Sequence, residues 1–285
     1  MKKKYLVTGA SGFIASHVSD YLSKKGHLVV LFDKKKSKYI AKNQKMILGN
    51  LNSLSQLHKA TKNVNTIFHF GATADLNEAN ENPFDSLHNN IFTTINILKT
   101  CLKNKVKKII FASSIYAISE QGGIYSTSKL SSEMIIERLC KKFKIKFVIL
   151  RFGTVYGDRA NKFNTVQKYI DDAKNKSKIF RDTKGNEIRS YIHVKDVAKI
   201  VYLSLKRKYE NNHFNIVGNK KILVKNLLHL IKSQLPKTKI NYSKSNKRKY
   251  NYKVNPFTYK LREGKQIKLK KYITLKDGIK KLIYK

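Results

Sequence analysis

The 285-residue sequence predicts an α/β fold, a doubly wound parallel sheet covered by helices, followed by a smaller C-terminal region. Three observations predict it. Short apolar runs alternate with longer stretches of helical periodicity through the first half of the chain. The runs are continuously apolar, which is typical of strands buried on both faces of a parallel sheet. A turn containing two glycines separates the first run from the first helical stretch.

The elements of the first half follow this alternation in order. The first strand, KYLVTG, is predicted at 4–9 and the first helix at 12–25. The remaining predicted strands lie at 27–33, 46–50, 65–72, 107–114 and 146–153. The remaining predicted helices lie between the third and fourth strands, at 83–104 and at 126–143. Together these elements predict a Rossmann-type domain.

The signals are weaker after about residue 154. The predicted elements there are a helix at 163–176, a strand and a helix within 190–207, a strand at 213–218, a helix at 224–235, then a further strand and a terminal helix at 274–284. A hydrophobic content of 41% can bury a large core plus a small one. We therefore expect a larger domain over 1–153 and a smaller region over 154–285, with 190–217 packing back on the larger domain.

Cysteine usage and hydropathy restrict the class of protein. Cys101 and Cys140 lie in helix-like segments without pairing or metal-binding spacing, so we expect buried thiols, a reducing compartment and no metal site. The N-terminal MKKKYLVTGASGF lacks the long apolar region of a signal peptide. No stretch approaches the roughly 18 to 20 apolar residues of a transmembrane helix. These features predict a cytoplasmic protein without membrane contact.

The net charge is strongly positive, with 60 Lys+Arg against 18 Asp+Glu and a formal value of +42. Such a charge often indicates a nucleic-acid or anionic-membrane partner. Here the lysines are spread over almost every surface-like segment and accompany many Asn and Ile, which favours an AT-rich coding bias over a dedicated surface. We expect no specific nucleic-acid partner. The charge would still attract phosphorylated substrates and cause salt-dependent, non-specific polyanion binding.

The glycine turn, TGASGFIAS at 8–16, predicts a dinucleotide site. Gly9 and Gly12 would let backbone N–H groups approach a pyrophosphate at the start of a helix, although a purely structural glycine turn is the alternative. Asp33 ends the second strand, where a carboxylate can accept hydrogen bonds from both ribose hydroxyls of NAD. It would repel the 2′-phosphate of NADP, while the lysines at 34–36 could soften that discrimination. The predicted cofactor is NAD.

YSTSK, at 125–129, places a tyrosine and a lysine one helical turn apart and on one face. A free tyrosine has a pKa of about 10 and is a poor base at neutral pH. An adjacent ammonium favours the phenolate, and the positively charged nicotinamide ring would add to this. Lowering the pKa to near 7 requires about 4 kcal/mol of differential stabilisation. Tyr125 is therefore the candidate base and Lys129 its partner.

A serine completes the candidate catalytic set. Ser114 ends the predicted strand at 107–114, at the carboxyl edge where ligands bind in such sheets. Its hydroxyl could hydrogen-bond the substrate oxygen that Tyr125 deprotonates. Ser113 is the alternative, because a shift of one residue reverses the side-chain direction in a strand. The alternative to a catalytic role is that this serine simply caps a helix. A catalytic role is favoured because Ser114, Tyr125 and Lys129 follow a predicted dinucleotide-binding loop in order.

Further motifs make the sequence resemble the NAD-dependent epimerase/dehydratase family, the extended short-chain dehydrogenases/reductases that act on nucleotide sugars. TGASGFIAS is similar to the opening of that family, HFGA at 69–72 to its HxAA loop, and NNIFTTINIL to its NVxGTxNLL helix. RFGTVYGDR at 151–159 resembles RxxNVYGPR, and IRSYIHVKDVA at 188–198 resembles RDFIHVDDVA. FNIVGNKKILVKNLL resembles YNIGxGxxxSVxEL. The resemblance covers nearly the whole chain.

The resemblance implies roles for specific residues. Tyr125 removes a proton from a sugar hydroxyl while NAD accepts hydride from the same carbon, Lys129 holds the nicotinamide ribose, and Ser114 orients the hydroxyl. The other implied cofactor-binding residues are Gly9, Ser11, Gly12, Phe13, Ile14, Asp33, Asn50, Leu51, Phe70, Gly71, Ala72 and Asn90. The implied substrate-binding residues, besides Ser114, are Thr154, Arg189 as a diphosphate clamp, and Arg248 as a second clamp.

The departures from the family pattern bear on the reaction. Family members that are 4,6-dehydratases carry an Asp-Glu pair directly after the catalytic hydroxyl residue, where this chain has Ile115 and Tyr116. Thr154 replaces the common Asn, and Asn50 replaces an Asp expected near adenine. The segment between Ser114 and Tyr125 is much shorter than in characterised epimerases. These features argue against dehydration and leave the identity of the sugar open.

The sequence therefore predicts an NAD-dependent nucleotide-sugar epimerase that inverts C4 of a UDP-hexose through a keto intermediate. A reductase, dehydrogenase or decarboxylase of the same family is the alternative, and a non-catalytic NAD sensor or polyanion-binding protein is the alternative from another class. The resemblance also implies a homodimer through the helices at 83–104 and 126–143. Its apolar contacts would involve Ile91, Ile95, Ile135 and Leu139.

Overall fold

A computed structural model describes residues 2–119, 121–161, 163–243 and 265–284. Its strands are β1 (Lys4–Thr8), β2 (Leu28–Asp33), β3 (Gln44–Leu48), β4 (Thr66–His69), β5 (Lys108–Ser114), β6 (Lys146–Phe152), β7 (Thr154–Tyr156), β8 (Lys178–Arg181), β9 (Ile188–Arg189), β10 (Tyr191–His193), β11 (Asn212–Ile216), β12 (Ile222–Leu223) and β13 (Lys239–Tyr242).

Its α-helices are α1 (Phe13–Lys24), α2 (Leu54–Ala60), α3 (Leu76–Glu81), α4 (Pro83–Leu87), α5 (Thr93–Lys103), α6 (Gly123–Lys142), α7 (Thr165–Lys176), α8 (Val194–Leu203), α9 (Val224–Gln234) and α10 (Leu275–Ile283). A π-helical turn at His88–Phe92 joins α4 to α5. Short 3₁₀ turns lie at Ile115–Ile118 and Arg207–Tyr209.

Seven strands form one sheet in the order β11-β6-β5-β4-β1-β2-β3, and every neighbouring pair is parallel. Apart from the added edge strand β11, this is the strand order of a doubly wound dinucleotide-binding fold. The predicted Rossmann-type parallel sheet is confirmed. The order reverses between β1 and β4, so the crevice for a ligand lies beyond their carboxyl ends.

Both faces of the sheet are covered, which explains the uninterrupted apolar runs. Leu6, Val30 and Ile67 belong to one buried cluster with residues of α2, α5 and α6. Their chain neighbours Val7 and Leu31 point to the opposite cluster, which includes residues of α1 and α8. Because successive strand side chains alternate faces, a strand covered on both sides needs apolar residues at every position.

The smaller part of the chain has a core of its own. Residues of α7, α9 and α10 form a third buried cluster around Tyr169, Leu227 and Ile279. Short strand pairs flank it: β8 with β13, β9 with β12 and β7 with β10. Within 190–217, β11 joins the large sheet and α8 packs beside α1. The domain boundary at 153/154 stays a prediction.

Several element ends differ from the predicted ones, and these differences shape the site. Strand β4 ends at His69, so 70–72 form a loop at the sheet edge. Strand β3 lies at 44–48, not 46–50, because Gln44 and Lys45 already pair in register with Val29 and Val30 of β2. The predicted helix at 83–104 contains the π-helical turn, and such turns are frequent at functional sites.

Candidate functional site

The turn after β1 requires glycine for steric reasons. Gly9 has a φ of 64°, and a Cβ there would lie 2.7 Å from the nitrogen and Cα of Gly71. The Gly12 amide donates to the Gly9 carbonyl at 2.9 Å, and α1 begins at Phe13 without a side-chain cap. Exposed helix N–H groups beside a side-chain-free turn fit a pyrophosphate. The turn is thus compatible with the predicted dinucleotide.

Asp33 ends β2 with its carboxylate turned toward this glycine turn. The Ser11 amide donates to Asp33 Oδ2 and the Lys35 amide to Oδ1, each at 3.0 Å. Each carboxylate oxygen keeps a further acceptor position, because a carboxylate offers about four lone-pair sites. The arrangement fits acceptance of ribose hydroxyls. The Ser11 hydroxyl donates to the carbonyl of Lys35 and is thereby directed away from Asp33.

The loop after β4 is held by a buried polar network. The Phe70 and Gly71 amides donate to Thr8 Oγ1 at 3.2 Å, and Thr8 Oγ1 lies 2.8 Å from His69 Nδ1. Burial and the nearby Lys129 ammonium lower the pKa of His69 to about 3, so His69 is neutral. A neutral, buried ring with hydroxyl partners stiffens the loop.

Asn90 lies buried in the π-helical turn and joins that loop to α6. Its Oδ1 accepts from the Thr73 amide at 2.7 Å, and its Nδ2 donates to the Thr73 carbonyl at 3.1 Å and to Ser128 Oγ at 2.8 Å. These contacts make Asn90 a residue that positions the loop. Direct contact between Asn90 and a cofactor stays a prediction.

The other predicted cofactor residues surround the same crevice. Leu51 packs against Gly71, since its Cδ1 lies 2.5 Å from the point where a Gly71 Cβ would stand. Asn50 is exposed and its Oδ1 accepts from the Asn52 amide at 2.9 Å. Phe70 stacks on Phe152 with ring centres 6.0 Å apart. The remaining three, Phe13, Ile14 and Ala72, are partly buried.

The structure brings Ser114, Tyr125 and Lys129 together. Gly122 and Gly123 adopt positive φ values of 107° and 53°, and this turn starts α6 two residues before Tyr125. A side-chain hydrogen bond joins Tyr125 to Ser114. Lys129 is buried, its Nζ donates to the Ala112 carbonyl at 2.9 Å, and Nζ lies 5.9 Å from the centre of the Tyr125 ring.

Ser113 and Ser114 have different partners. Ser113 is buried, and its hydroxyl donates to Glu133 Oε1 at 2.5 Å. Ser114 Oγ accepts from the Tyr116 amide at 3.2 Å and shares the hydrogen bond with Tyr125. The geometry therefore places Ser114, and not the alternative Ser113, beside the candidate base.

With the protein's own groups alone, the pKa of Tyr125 is shifted upward, opposite to the expected lowering. Burial raises it to about 12, and the hydrogen bond with Ser114 opposes that rise. Burial also lowers the pKa of Lys129 to about 8, against the opposing effect of the Glu133 carboxylate. The Lys129 ammonium donates to a backbone carbonyl and not to the phenol, so it does not offset the effect of burial on Tyr125. The expected lowering relied on the ammonium together with the nicotinamide ring.

The predicted substrate residues lie on the small strands beyond β6. Thr154 on β7 pairs in register with Tyr191 on β10. Arg189 on β9 pairs with Ile222 on β12, and its Nη1 donates to the Ile188 carbonyl at 3.0 Å. Thr154 and Arg189 are partly buried. Arg248 lies outside the described residues.

Glu133 and Arg151 form a fully buried ion pair next to this set, and the sequence reasoning missed it. Glu133 follows Lys129 by four residues, as Lys129 follows Tyr125. This repeated four-residue spacing was the sequence signal that could have identified Glu133. Its partner on β6 could not be identified from spacing alone.

Two kinds of feature are absent from the part of the chain that the structure describes. No cluster of three or more His, Cys, Asp or Glu side chains suited to a metal ion is found there. Nor does any helix in those ranges combine the length and apolarity needed to traverse a bilayer.

Comparisons with known proteins identify the family of the chain. A sequence model of the NAD dependent epimerase/dehydratase family matches residues 5–217. The chain is 28% identical to a putative UDP-glucose 4-epimerase of Methanocaldococcus jannaschii, over 98% of this chain and 96% of that protein. It is also 28% identical to a UDP-N-acetyl-alpha-D-glucosaminuronate decarboxylase of Bacillus cytotoxicus, over 76% and 75% of the two chains.

Solved structures show the same fold. A UDP-glucose 4-epimerase of Thermotoga maritima, crystallised with UDP-glucose, superposes with a TM-score of 0.86 at 23% identity, covering 99% of this chain and 97% of the other. The Thermus thermophilus UDP-glucose 4-epimerase in complex with NAD gives a TM-score of 0.85 at 19% identity, covering 99% and 98%. With the family match over most of its length, the chain belongs to the NAD dependent epimerase/dehydratase family, as its motifs indicated.

Proposed function

We propose that the chain is an NAD-dependent nucleotide-sugar epimerase that inverts C4 of a UDP-hexose through a keto intermediate. The observation that carries the proposal is the hydrogen-bonded pair of Ser114 and Tyr125 with Lys129 one turn away, next to a glycine turn that fits a pyrophosphate. The similarity to the Methanocaldococcus jannaschii protein along almost the whole chain supports the same reaction.

Each residue of the set has a distinct proposed task. Ser114 orients the sugar hydroxyl by a hydrogen bond, and Tyr125 takes its proton as general base. Lys129 supplies a positive charge one helical turn away, which stabilises the phenolate. Bound at this site, NAD would supply hydride transfer, taking up the hydride of the same carbon and giving it back to the other face of the rotated sugar. The proton then passes from Tyr125 back to the sugar oxygen.

Binding is assigned to two groups of residues. The cofactor is proposed to lie against the glycine turn at 9–14, Asp33, the segment 50–51 and the loop 70–72. The nucleotide sugar is proposed to contact Ser114, Thr154 and Arg189. A guanidinium suits a diphosphate better than an ammonium, because its planar fork can donate two parallel hydrogen bonds.

The residues after Ser114 favour epimerisation over dehydration. Elimination of water needs an acid and a base in addition to the tyrosine. Ile115 is apolar and buried, and Tyr116 is directed against the Gly122 backbone, where a Cβ would meet its ring at 2.9 Å. Epimerisation requires only hydride removal, rotation and hydride return. The described set is sufficient for this reaction.

A decarboxylase is the second candidate, because a decarboxylase of UDP-N-acetylglucosaminuronate is as similar in identity, over about three quarters of the chain. It would share Tyr125 and the oxidation step. Release of CO₂ from a nucleotide sugar acid distinguishes it from an epimerase.

A homodimer is part of the proposal. Phe84 and Phe92, on the helical stretch from α4 to α5, are 84% and 55% exposed, and Met134 on α6 is 45% exposed. Exposed large apolar side chains on two adjacent helices are typical of an interaction surface. We propose that two copies pair through these helices.

The direct test is incubation of the purified protein with UDP-galactose and NAD. Formation of UDP-glucose without net reduction of NAD supports the epimerase. Stoichiometric reduction of NAD would favour a dehydrogenase, and absence of turnover with every nucleotide sugar tried would contradict the catalytic proposal. Tyr125→Phe serves as the inactive control.

A further inference from the structure

A stripe of four side chains on α6 faces three neighbouring strands, β5, β6 and β11. Tyr125, Lys129, Glu133 and Glu137 are spaced four residues apart and therefore share one helix face. The first two form the candidate catalytic set with β5. At the far end, Glu137 Oε1 lies 2.6 Å from His213 Nε2 on β11. Glu133 lies between them and has no role in the proposed reaction.

Glu133 links α6 to two strands at once. Its Oε1 accepts from Ser113 Oγ at 2.5 Å and from Arg151 Nε at 3.0 Å, and its Oε2 accepts from Arg151 Nη2 at 2.6 Å. Ser113 on β5 and Arg151 on β6 are register partners, so their side chains stand side by side under the helix. Both Glu133 and Arg151 are fully buried. Ser113 immediately precedes Ser114.

The Glu133–Arg151 pair also contributes to the electrostatic environment of Lys129. On its own helix Lys129 faces Tyr125 and Glu133; from β5 it meets the Ala112 carbonyl and the Phe111 ring, and from β4 the neutral His69. Burial disfavours the ammonium, and the Glu133 carboxylate opposes that effect. Arg151 holds this carboxylate in place with two N–H groups.

We propose that the Glu133–Arg151 pair is a positioning device for the candidate catalytic set. It fixes α6 against the carboxyl ends of β5 and β6, and it keeps the Lys129 side chain an ammonium ion. The effect of the Glu133–Arg151 pair on turnover rests on the proposed function. Its effect on the protonation of Lys129 is a property of the folded protein. Loss of the carboxylate favours the neutral amine at Lys129 and so removes the counter-ion of the Tyr125 phenolate.

The electrostatic part is tested by urea unfolding between pH 6.5 and 10, without substrate. The pKa of Lys129 is lowered from 10.5 to about 8 in the folded chain, so between these values the unfolded chain binds more protons. The free energy of unfolding therefore gains a rising contribution from about pH 8 upward. This contribution is isolated as the difference from Lys129→Met in the same background.

In Glu133→Gln the rise is expected to begin about one pH unit lower, the shift that a lost neighbouring charge produces. Glu137→Gln is the matched control, because it removes a carboxylate from the same helix face one turn farther from Lys129; its onset should stay near that of the parent. If Glu133→Gln does not fold, Glu133→Gln/Arg151→Met removes both charges and should show a smaller shift in the same direction, because loss of the Arg151 cation offsets part of the loss of the carboxylate. An unchanged onset would show that Glu133 is structural only and overturn the proposal.

The catalytic part is tested with UDP-glucose at pH 7.5. Glu133→Gln should lower kcat about threefold, because a fall of one unit in the Lys129 pKa, from about 8, lowers the fraction of ammonium at pH 7.5 about threefold. KM should change less than about twofold, because Glu133 contacts no substrate. A shifted onset with unchanged kcat would overturn the catalytic part alone. If the parent turns over none of the nucleotide sugars tried, the proposed function fails, while the unfolding experiment still decides the electrostatic part.

Discussion

Lys129 is buried and Tyr125 is partly buried, and burial disfavours the charged form of each. The pKa of the phenol is raised to about 12 and that of the ammonium lowered to about 8. Opposite charges one helical turn apart stabilise each other, so an ammonium at Lys129 favours a phenolate at Tyr125. The reactive form is the phenolate beside the ammonium, so groups that favour this ion pair control the rate.

Replacing Tyr125 by Phe tests the base directly. The substitution removes the hydroxyl and keeps the ring, so kcat should fall by about 10²- to 10⁴-fold, the usual contribution of a positioned acid–base group. The thermal unfolding midpoint should remain close to that of the parent. Residual activity within threefold of the parent, measured with UDP-galactose, would exclude Tyr125 as the base.

We expect Asp33 to determine the preference between NAD and NADP. In Asp33→Asn the charge is lost, so affinity for NAD should fall about 10- to 100-fold, as for hydrogen bonds to a charged group. Affinity for NADP should rise, because repulsion of the 2′-phosphate is removed. Calorimetric titration of both cofactors measures this. Asp172→Asn, which removes a surface carboxylate paired with Lys176 on α7, is the control and should change neither affinity.

Among the elements, the β1–α1 turn combines a positive φ with close backbone contact at Gly9. Gly9→Ala places a Cβ 2.7 Å from Gly71 at a φ of 64°. The free energy of unfolding should fall by about 2–4 kcal/mol, from left-handed strain and overpacking together. NAD binding should be lost as well, since the turn and the loop after β4 are forced apart.

Gly26→Ala is the matched control for this change. Gly26 also has a positive φ, of 84°, but a Cβ there meets no atom within 4 Å. Strain alone should cost about 1–2 kcal/mol, with NAD affinity unchanged. Equal losses of NAD affinity in the two variants would contradict the steric account of the turn.

The long strands and helices were predictable because burial on both faces leaves an uninterrupted apolar run in the sequence. The strands β7, β9, β10 and β12 have only two or three residues, too few to show a period. The π-helical turn depends on the contacts of Asn90 with Thr73 and Ser128, which are 17 and 38 residues away in the chain. The site residues could be identified because they lie within sequence motifs. The pairing of Glu133 with Arg151 could not, because it arises only from packing.

At the scale of the whole molecule, the exposed phenylalanines of the α4–α5 stretch bear on assembly. Phe84→Lys should convert the proposed dimer to a monomer, because a charge cannot be buried unpaired at the centre of an interface. Phe180→Lys is the control. Phe180 is also exposed, at 59%, but it lies on β8 in the smaller part of the chain. Sedimentation velocity distinguishes them; a parent protein that is already monomeric at micromolar concentration would contradict the dimer.

The most direct measurement for the whole account is the fate of the hydrogen on C4 of the sugar. UDP-galactose carrying deuterium at C4 is incubated with the protein and NAD in ordinary water, and the product is analysed by mass spectrometry and NMR. If Tyr125 moves only the hydroxyl proton while the hydride leaves and returns at one carbon, the UDP-glucose formed retains the deuterium at C4. Product in which that deuterium has been exchanged for solvent hydrogen would contradict the account.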